Sequence, residues 1–158
     1  ISIYDFSDLG FILKKFKINI VQCPFNILDR RLIDYKWLKI LKSKKIEVHV
    51  RSIFFQGLLT DEKLNKNKYF KKYRPKFNKW FKDISKNEFS ATDVCLSYVL
   101  KYKVDKIVVG INDQNQLDSI INFQKVKNLN NFNYIKNDNI DLYDTRKWSH
   151  LWLNEKKV

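Results

Sequence analysis

The sequence predicts an α/β fold in which short parallel strands alternate with helices. Three short apolar segments alternate with longer stretches in which apolar residues recur three and four positions apart. This repeated strand–helix–strand order is typical of parallel sheets with right-handed crossovers. A doubly wound sheet and a (β/α)8 barrel both contain this repeat, and periodicity alone does not separate them.

The helices are recognised from apolar spacing and from residues that cap helix ends. Ser7 precedes the first periodic stretch and is a candidate N-cap, and Ser90 holds the same position before the strongest helical pattern. Pro75 falls inside a long basic and aromatic stretch, where it should interrupt the helix. Helices are therefore predicted over Asp5–Lys17, Asp34–Lys44, Tyr69–Ile84, Ser90–Tyr102 and Gln114–Val126.

The strands are recognised from β-branched residues and from the residues that end them. Ile46, Val48 and Val50 alternate with polar residues, which predicts a strand with one buried face. Pro24 should end the first strand, and Gly110 the third. Strands are therefore predicted over Ile18–Cys23, Ile46–Arg51 and Lys106–Gly110.

The composition is that of a folded domain with a strong positive charge. Hydrophobic residues make up 44% of the 158 residues, and only three glycines and two prolines occur, which excludes a disordered or collagen-like chain. The formal charge of +14 would suit nucleic acid or an anionic membrane. Because lysine is spread along the whole chain and no apolar run is long enough to span a bilayer, we expect neither partner. Cys23 and Cys95 are isolated in apolar patterns, which indicates buried free thiols, no metal site and a cytoplasmic protein.

The two ends of the chain differ from its middle. The chain begins at Ile1, contains no methionine and leads directly from Ser2 into the first helix, so we expect an N-terminal part of the domain to precede it. The C-terminal tail, residues 127–158, is rich in asparagine. Its segment DLYDTRKWSHLW, residues 141–152, predicts a short helix packed on the body, in which His150 is a packing or surface residue.

Four segments carry a resemblance that goes beyond periodicity. They are SIYD (Ser2–Asp5), IVQCPFNILDRR (Ile20–Arg31), VHVRSIFFQGLLT (Val48–Thr60) and VDKIVVGINDQNQL (Val104–Leu117). In order and spacing they resemble the exit from strand 5, and strands 6, 7 and 8 with their loops, of the aldo-keto reductases, (β/α)8 barrels that reduce carbonyls with a nicotinamide cofactor. The resemblance implies a partial (β/α)8 TIM barrel from the end of strand 5 through helix 8. Residues 1–126 would be barrel units and residues 127–158 the tail, so that residues 1–158 form the C-terminal half of one barrel domain.

The resemblance also implies a cofactor site at the carboxyl ends of the strands, where barrel active sites lie and where phosphates commonly sit near the loops after strands seven and eight. The hydroxyl of Ser2 and the amide of Gln22 correspond to groups that hold the nicotinamide carboxamide, and both can donate and accept hydrogen bonds. Arg51–Gln56 correspond to the segment that wraps the nicotinamide face and the pyrophosphate, and Gly110–Gln116 correspond to the loop that binds the adenosine end. The residues implied are Ser2, Gln22, Arg51, Ser52, Ile53, Phe54, Gln56, Gly110, Asn112 and Gln116.

Arg51 departs from the family pattern. It stands where many relatives place an aromatic ring that stacks on the nicotinamide, and a guanidinium plane can stack as well. Its alternative role is an ion pair with Glu47 inside the barrel. In the same segment Ser52 can donate to a phosphate, and the turn at Gln56 and Gly57 permits close approach of the backbone.

The loop from Gly110 to Gln116 supports two interpretations. As a ligand loop, Gly110 lets the chain turn sharply, Asn112 hydrogen-bonds a phosphate at a helix N-terminus, and Gln116 contacts the adenine or ribose. As a structural loop, it merely caps the following helix. The resemblance favours NADP(H), with NAD(H) as the alternative, although the loop carries none of the basic or hydroxyl groups that relatives place around the 2′-phosphate.

The resemblance implies an oxidoreductase that reduces a small carbonyl, an aldehyde or a ketone, to an alcohol. The catalytic Asp, Tyr, Lys and His of the family lie on its first four strands, so no catalytic residue is assigned in this chain, which should be inactive alone. His49 lies on a later strand and is expected to be structural. A noncatalytic nucleotide-binding or regulatory half-barrel is the alternative, and a nucleic-acid-binding module built on KKYRPKFNKWFK (Lys71–Lys82) is the weaker third.

Overall fold

Three parallel strands form the centre of the fold in the computed structural model, which describes residues 1–148 and residue 151. They are β1 (Ile20–Pro24), β2 (Glu47–Arg51) and β3 (Lys106–Ile107), paired in the order β1-β2-β3. Ser2 adds an isolated parallel bridge to Gln22 beside β1. The predicted α/β class and the parallel pairing are confirmed.

Helices connect the strands. Residues 31–43 carry two helices between β1 and β2, and residues 74–100 carry two between β2 and β3. None of the helices in the described part of the chain is long and apolar enough to cross a membrane. The helices are α1 (Leu9–Lys15), α2 (Arg31–Asp34), α3 (Trp37–Ser43), α4 (Arg74–Lys86), α5 (Ala91–Leu100), α6 (Gln114–Ile121) and α7 (Ile140–Tyr143), with short 3-10 helices at Glu62–Lys66, Lys68–Phe70, Asn130–Ile135 and Thr145–Lys147.

The two faces of the sheet differ in burial. On one face, Gln22 and its register partner His49 are partly accessible and Glu47 is exposed, although Pro24 at the end of β1 is buried. The helices of a doubly wound sheet cover both faces, whereas the helices of a barrel form an outer ring on one face. The sequential strand order and the unequal burial of the two faces therefore fit a partial barrel. The buried face consists of Val21, Cys23, Val48 and Val50, all fully inside the hydrophobic core.

Asp105 fixes the start of β3 against β2. Its backbone N–H donates to the Val48 carbonyl at 2.9 Å, and its carboxylate accepts from the Val48 N–H at 2.7 Å. The same carboxylate pairs with the ammonium of Lys42 on α3. A two-residue strand is thus held in place by a side chain as well as by its ladder.

The strand bounds differ from the prediction at both ends of the sheet. β1 continues through Pro24, because the N–H groups that reach β2 come from the odd-numbered residues, such as Phe25, which donates to the Arg51 carbonyl at 3.1 Å. The missing N–H of Pro24 therefore interrupts no bond to β2. β3 stops at Ile107 rather than at Gly110, although Val108 still donates to the Val50 carbonyl at 2.7 Å.

Two predicted helices are interrupted or shortened by local geometry. The helix expected over Asp34–Lys44 is divided into α2 and α3 at Lys36, whose φ of 62° lies in the left-handed region. The helix expected over Gln114–Val126 ends at Ile121. Beyond it, the N–H of Gln124 donates to Asp93 at 2.7 Å and that of Val126 to Ser97 at 2.8 Å, so α5 takes the donors that a longer α6 would have used internally.

Helix starts were predicted with mixed success. Ser90 caps α5 as expected, and with Asp93 it forms a capping box in which each side chain accepts from the other's backbone N–H. Ser7 is not the cap of α1, which begins later, after Asp8. Pro75 does not interrupt a helix but lies in the first turn of α4, where its missing N–H needs no partner.

The described part of the C-terminal tail packs on the body of the fold. Phe132, Ile135, Leu142 and Trp148 are buried, and the Trp148 indole N–H donates to the Leu142 carbonyl at 3.0 Å. The short helix predicted within residues 141–152 corresponds to α7, which begins one residue earlier. His150 lies outside the described residues.

Candidate functional site

A cleft of about 870 Å³ opens beyond the carboxyl ends of β2 and β3. One wall is the loop that follows β2, and the other is formed by the loop after β3 with the first turns of α6. Its volume is within the range of small-molecule and cofactor sites. It is lined by Arg51, Ser52, Ile53, Phe54, Phe55, Gln56, Gly57, Thr60, Asp61, Leu64, Thr92, Val108, Val109, Gly110, Asn112, Asp113, Asn115, Gln116, Ser119 and Ile120.

The structure brings together most, but not all, of the residues that the sequence implicated. Ser2 and Gln22 do not line the cleft. They lie beside β1, where the Ser2 hydroxyl donates to the Gln22 side-chain oxygen at 3.3 Å. The predicted residues that do line it are Arg51, Ser52, Ile53, Phe54, Gln56, Gly110, Asn112 and Gln116.

The loop after β2 has an unusual backbone. Ser52, Phe55 and Gln56 adopt φ values of 59°, 53° and 56°, and Gly57 follows at 84°. For residues other than glycine this left-handed conformation costs about 1–2 kcal/mol each, and such strain persists only where the surrounding structure enforces it. A Cβ on Gly57 would also lie 3.1 Å from the Leu64 side chain, so both the left-handed φ and the close approach favour glycine at this turn.

Asn26 anchors the start of this loop. Its side chain is fully buried, and its amide N–H donates to the Ser52 carbonyl at 2.9 Å. Its amide oxygen accepts from the N–H groups of Leu28 and Asp29 at 2.9 and 2.8 Å. One side chain thus joins the turn after β1 to the first strained residue of the cleft.

Aromatic packing anchors the middle of the loop. The ring of Phe55 lies 5.3 Å from that of Trp148, which itself lies 5.1 Å from Phe70, and all three side chains are buried. Just after the loop, the Trp80 indole N–H donates to the Leu59 carbonyl at 3.0 Å. The loop is therefore held by side chains from β1's turn, α4 and the C-terminal tail.

Arg51 does not form the predicted alternative pair with Glu47. The Glu47 carboxylate lies 2.9 Å from the His49 ring nitrogen instead, which gives His49 a structural partner. The Arg51 guanidinium donates to the Ile3 carbonyl at 3.0 Å and lies 4.2 Å from the centre of the Tyr4 ring. One face of the Arg51 guanidinium plane is thus already covered by the Tyr4 ring.

The opening of α6 is capped from within. The Asp113 carboxylate accepts from the Gln116 N–H at 2.9 Å, and the Gln116 side-chain oxygen accepts from the Asn112 N–H at 3.0 Å. The structural interpretation of this loop is confirmed in that the helix is capped, and Asp113 is the N-cap. Asn112 and Gln116 also line the cleft, as the ligand interpretation requires.

Gly110 does not have the role that we expected. Its φ is not in the left-handed region, and a Cβ built there would meet nothing within 4 Å. The prediction that glycine is needed there for a sharp turn is wrong, since the conformation is one that any residue can adopt. Its lack of a side chain leaves the wall of the cleft open at that point.

The cysteines are not candidates for nucleophilic chemistry. Burial raises the pKa of Cys23 to about 12, helped by the charge of Asp29, and burial also raises the pKa of Cys95. At neutral pH both remain protonated, and the thiol is the unreactive form. Within the described residues, no three His, Cys, Asp or Glu side chains are grouped so that they could hold a metal ion.

A buried ion pair supports the turn after β1. The Arg31 guanidinium donates to both oxygens of Asp29, the shorter contact being 2.7 Å, and lies 4.6 Å from the Tyr143 ring. Burial alone would lower the pKa of Arg31, but the hydrogen bond and the charge of Asp29 raise it above its ordinary value. The Asp29 backbone N–H donates to the Asn26 side chain, and Arg31 contacts Tyr143, so this ion pair connects Asn26 to the C-terminal tail.

Several cleft residues were not assigned from the sequence. Asp113 was detectable, because an aspartate three residues before Gln116 at the start of a helical pattern is an N-cap signal. Asp61 and Thr92 reach the cleft from the end of a long loop and from the first turn of α5, and no local pattern indicates that these segments meet.

Comparison with known proteins relates this architecture to one family. The model of the aldo/keto reductase family matches residues 1–140 of the chain. Among solved structures, the chain is similar to the apo form of an aldo-keto reductase from Bacillus halodurans, with a TM-score of 0.64 and 19% sequence identity. The similarity covers 85% of this chain and 48% of that one, so the chain spans about half the length of the matched structure. A comparison with curated protein sequences gave no match.

The fold and the cleft define an α/β protein with a small parallel sheet of the kind found in TIM barrels. The chain belongs to the aldo-keto reductase family, because the family model covers most of its length. The matched residues form the N-terminal part of this chain and do not include residues 141–158. The correspondence of the chain to the C-terminal half of the family's barrel stays a prediction.

Proposed function

We propose that this chain is the cofactor-binding, C-terminal half of an NAD(P)H-dependent aldo-keto reductase that reduces an aldehyde or a ketone to an alcohol. Family membership supports an oxidoreductase, and the span of about half of a solved relative supports a partial domain. The nicotinamide dinucleotide would bind in the cleft after β2 and β3. The chain alone would be inactive, because the proton donor belongs to the other half of the barrel.

One observation carries the proposal. The two segments that the family resemblance assigns to the cofactor, Arg51–Gln56 and Gly110–Gln116, are far apart in the sequence yet form opposite walls of one cleft. The volume of about 870 Å³ suits a cofactor. Barrel enzymes bind phosphates near the loops that follow their seventh and eighth strands, and these walls would be those loops.

The residues of the cleft fit a dinucleotide chemically. The strained loop presents the Ser52 hydroxyl and the backbone around Gln56 and Gly57 to the cleft, which are suitable donors for phosphate oxygens. The Asn112 amide lies just before the Asp113 N-cap of α6, and its N–H groups can donate to a phosphate oxygen of the pyrophosphate. A bound nicotinamide would supply the hydride, and the role of this chain is to bind and orient it.

Ser2 and Gln22 would act at the edge of the site. Their side chains are hydrogen-bonded to each other beside β1, and the neighbouring Ile3 carbonyl accepts from Arg51, which lines the cleft. A carboxamide that displaced the long 3.3 Å contact between them could bond to both. In the proposal they hold the nicotinamide end in this way.

Nucleotide binding tests the proposal. Asn112→Asp places a carboxylate where we place a phosphate, so the dissociation constants for NADH and NADPH should rise while the melting temperature stays the same, since acidic residues near a helix start favour the dipole. Asn128→Asp makes the same charge change at an exposed position outside the cleft and is the matched control. Equal affinities of the two variants for both nucleotides would remove Asn112 from the site.

Activity separates the two halves of the proposal. The purified chain should bind nucleotide but show no NADH- or NADPH-dependent reduction of carbonyls, since general acid catalysis requires a donor positioned beside the carbonyl. Addition of the complementary half, expressed separately, should restore turnover. Binding without turnover in the reconstituted protein would favour a noncatalytic nucleotide-binding half-barrel, and turnover by the isolated chain would contradict the assignment of the catalytic residues.

A further inference from the structure

We infer that the cleft selects NAD(H) over NADP(H), and that Asp113 is the residue that sets this preference. The inference rests on the proposed function, which places a nicotinamide dinucleotide in the cleft. It concerns one difference between the two cofactors, the 2′-phosphate of NADP(H), which adds close to two negative charges at neutral pH.

The charges that line the cleft disfavour this additional phosphate. Arg51 is its one basic lining residue within the described part of the chain, and Asp61 and Asp113 are both acidic. The remaining lining side chains are neutral. A pyrophosphate already brings negative charge to this cleft, and a further phosphate would have no cation left to neutralise it.

Arg51 cannot serve the 2′-phosphate without losing its present contacts. Its guanidinium donates to the Ile3 carbonyl at 3.0 Å and to the Ser52 hydroxyl at 3.2 Å, and it lies over the Tyr4 ring. All these contacts hold it at the end of β2, next to the loop that would carry the pyrophosphate. The start of α6 is left with no basic side chain among its lining residues.

The negative charge of Asp113 at the start of α6 disfavours binding of the 2′-phosphate there. Its carboxylate accepts from the Gln116 N–H at 2.9 Å, so this chain's own carboxylate already occupies the N-cap position and offsets the positive end of the helix dipole. Its neighbours on α6 in the same wall, Asn115 and Ser119, are polar and uncharged. They suit the hydroxyls of an unmodified ribose, which donate and accept hydrogen bonds.

The overall positive charge of the chain does not reverse this preference. The net charge of +14 comes from lysines and arginines spread along the sequence, and beyond about 8 Å their fields are largely screened at physiological salt. A carboxylate in the wall acts within that distance. Between one carboxylate and a dianion at an exposed site, this gives roughly a tenfold discrimination against NADPH.

Nucleotide titration of the purified protein tests the inference. NADH and NADPH are titrated by their fluorescence against the natural protein, Asp113→Asn and Asp118→Asn. Asn at position 113 can cap α6 equally well, so the fold should be retained, as the melting temperature will show. Asp118 lies on the same helix outside the cleft, where its carboxylate accepts from the Gln114 side chain at 2.8 Å, and its replacement makes the same charge change.

The natural protein should bind NADH about tenfold more tightly than NADPH at about 0.15 M salt, and the ratio should shrink at about 1 M salt. Asp113→Asn should tighten NADPH binding roughly tenfold more than it tightens NADH binding, whereas Asp118→Asn should leave the NADH-to-NADPH ratio unchanged. Equal or tighter binding of NADPH by the natural protein, or an unchanged ratio in Asp113→Asn, would overturn the inference. Binding of neither nucleotide would overturn the proposed function and the inference with it.

Discussion

The Asn26→Ala variant should unfold at a much lower urea concentration than the natural protein, because the fully buried Asn26 side chain forms three hydrogen bonds, one of which reaches the loop after β2. Its amide donates to the Ser52 carbonyl at 2.9 Å and accepts from the Leu28 and Asp29 N–H groups at 2.9 and 2.8 Å. A buried hydrogen bond contributes about 1 kcal/mol net, and partners left unsatisfied cost about 1–3 kcal/mol each. The three together predict a loss of about 3–5 kcal/mol in the free energy of unfolding, which is a large part of the stability of a domain.

Tryptophan fluorescence in urea measures this loss, since Trp80 and Trp148 are both fully buried in the folded chain. Asn128→Ala is the matched control, because Asn128 is exposed and accepts one local hydrogen bond, from the Asn130 N–H at 3.0 Å. We expect it to lose less than about 1 kcal/mol. If Asn26→Ala unfolds at the same urea concentration as Asn128→Ala, with an unchanged slope, the three bonds are not what holds the loop.

Two further predictions concern titratable groups. The hydrogen bond from Lys42, with that from the Val48 N–H, holds the pKa of Asp105 below its usual range. The stability that this contributes is present above about pH 4 and is lost as the pH falls through the lowered pKa. In urea, the difference in unfolding free energy between the natural protein and Asp105→Asn should therefore be largest near neutral pH and vanish in acid, and a difference that stays constant with pH would refute this prediction. Because burial keeps Cys23 and Cys95 as thiols, a thiol reagent should modify them at the rate of unfolding and at once in urea, whereas fast modification of the folded chain would contradict the burial.

The strands and the best-capped helix could be predicted because local sequence and burial agree there. Val48 and Val50 alternate with accessible residues because one face of the sheet packs on helices, and a period of two results whatever the rest of the chain does. Ser90 and Asp93 form a capping box whose spacing is visible in the sequence. Such features are fixed within a few residues.

The shape of the cleft could not be predicted in the same way. Ser52, Phe55 and Gln56 have left-handed φ values although no glycine marks those positions, and Lys36 breaks a continuous helical pattern with the same conformation. At each of these positions, tertiary contacts enforce a backbone conformation that the local sequence does not favour. The site residues of this loop were found through the family resemblance, which carries information on tertiary contacts that periodicity lacks.

The strained loop shows why the C-terminal tail matters to the cleft although the family match ends at residue 140. Its left-handed residues together cost a few kcal/mol, and such strain persists only where surrounding contacts enforce the conformation. The compensation comes from distant segments, namely the Asn26 amide on Ser52 and the ring of Trp148 on Phe55. Because Trp148 lies beyond the matched residues, a protein that kept the matched part and lost the end of the tail would lose an anchor of the cleft. Under the proposed function, the tail would therefore contribute to nucleotide affinity through its packing on the loop that lines the cleft.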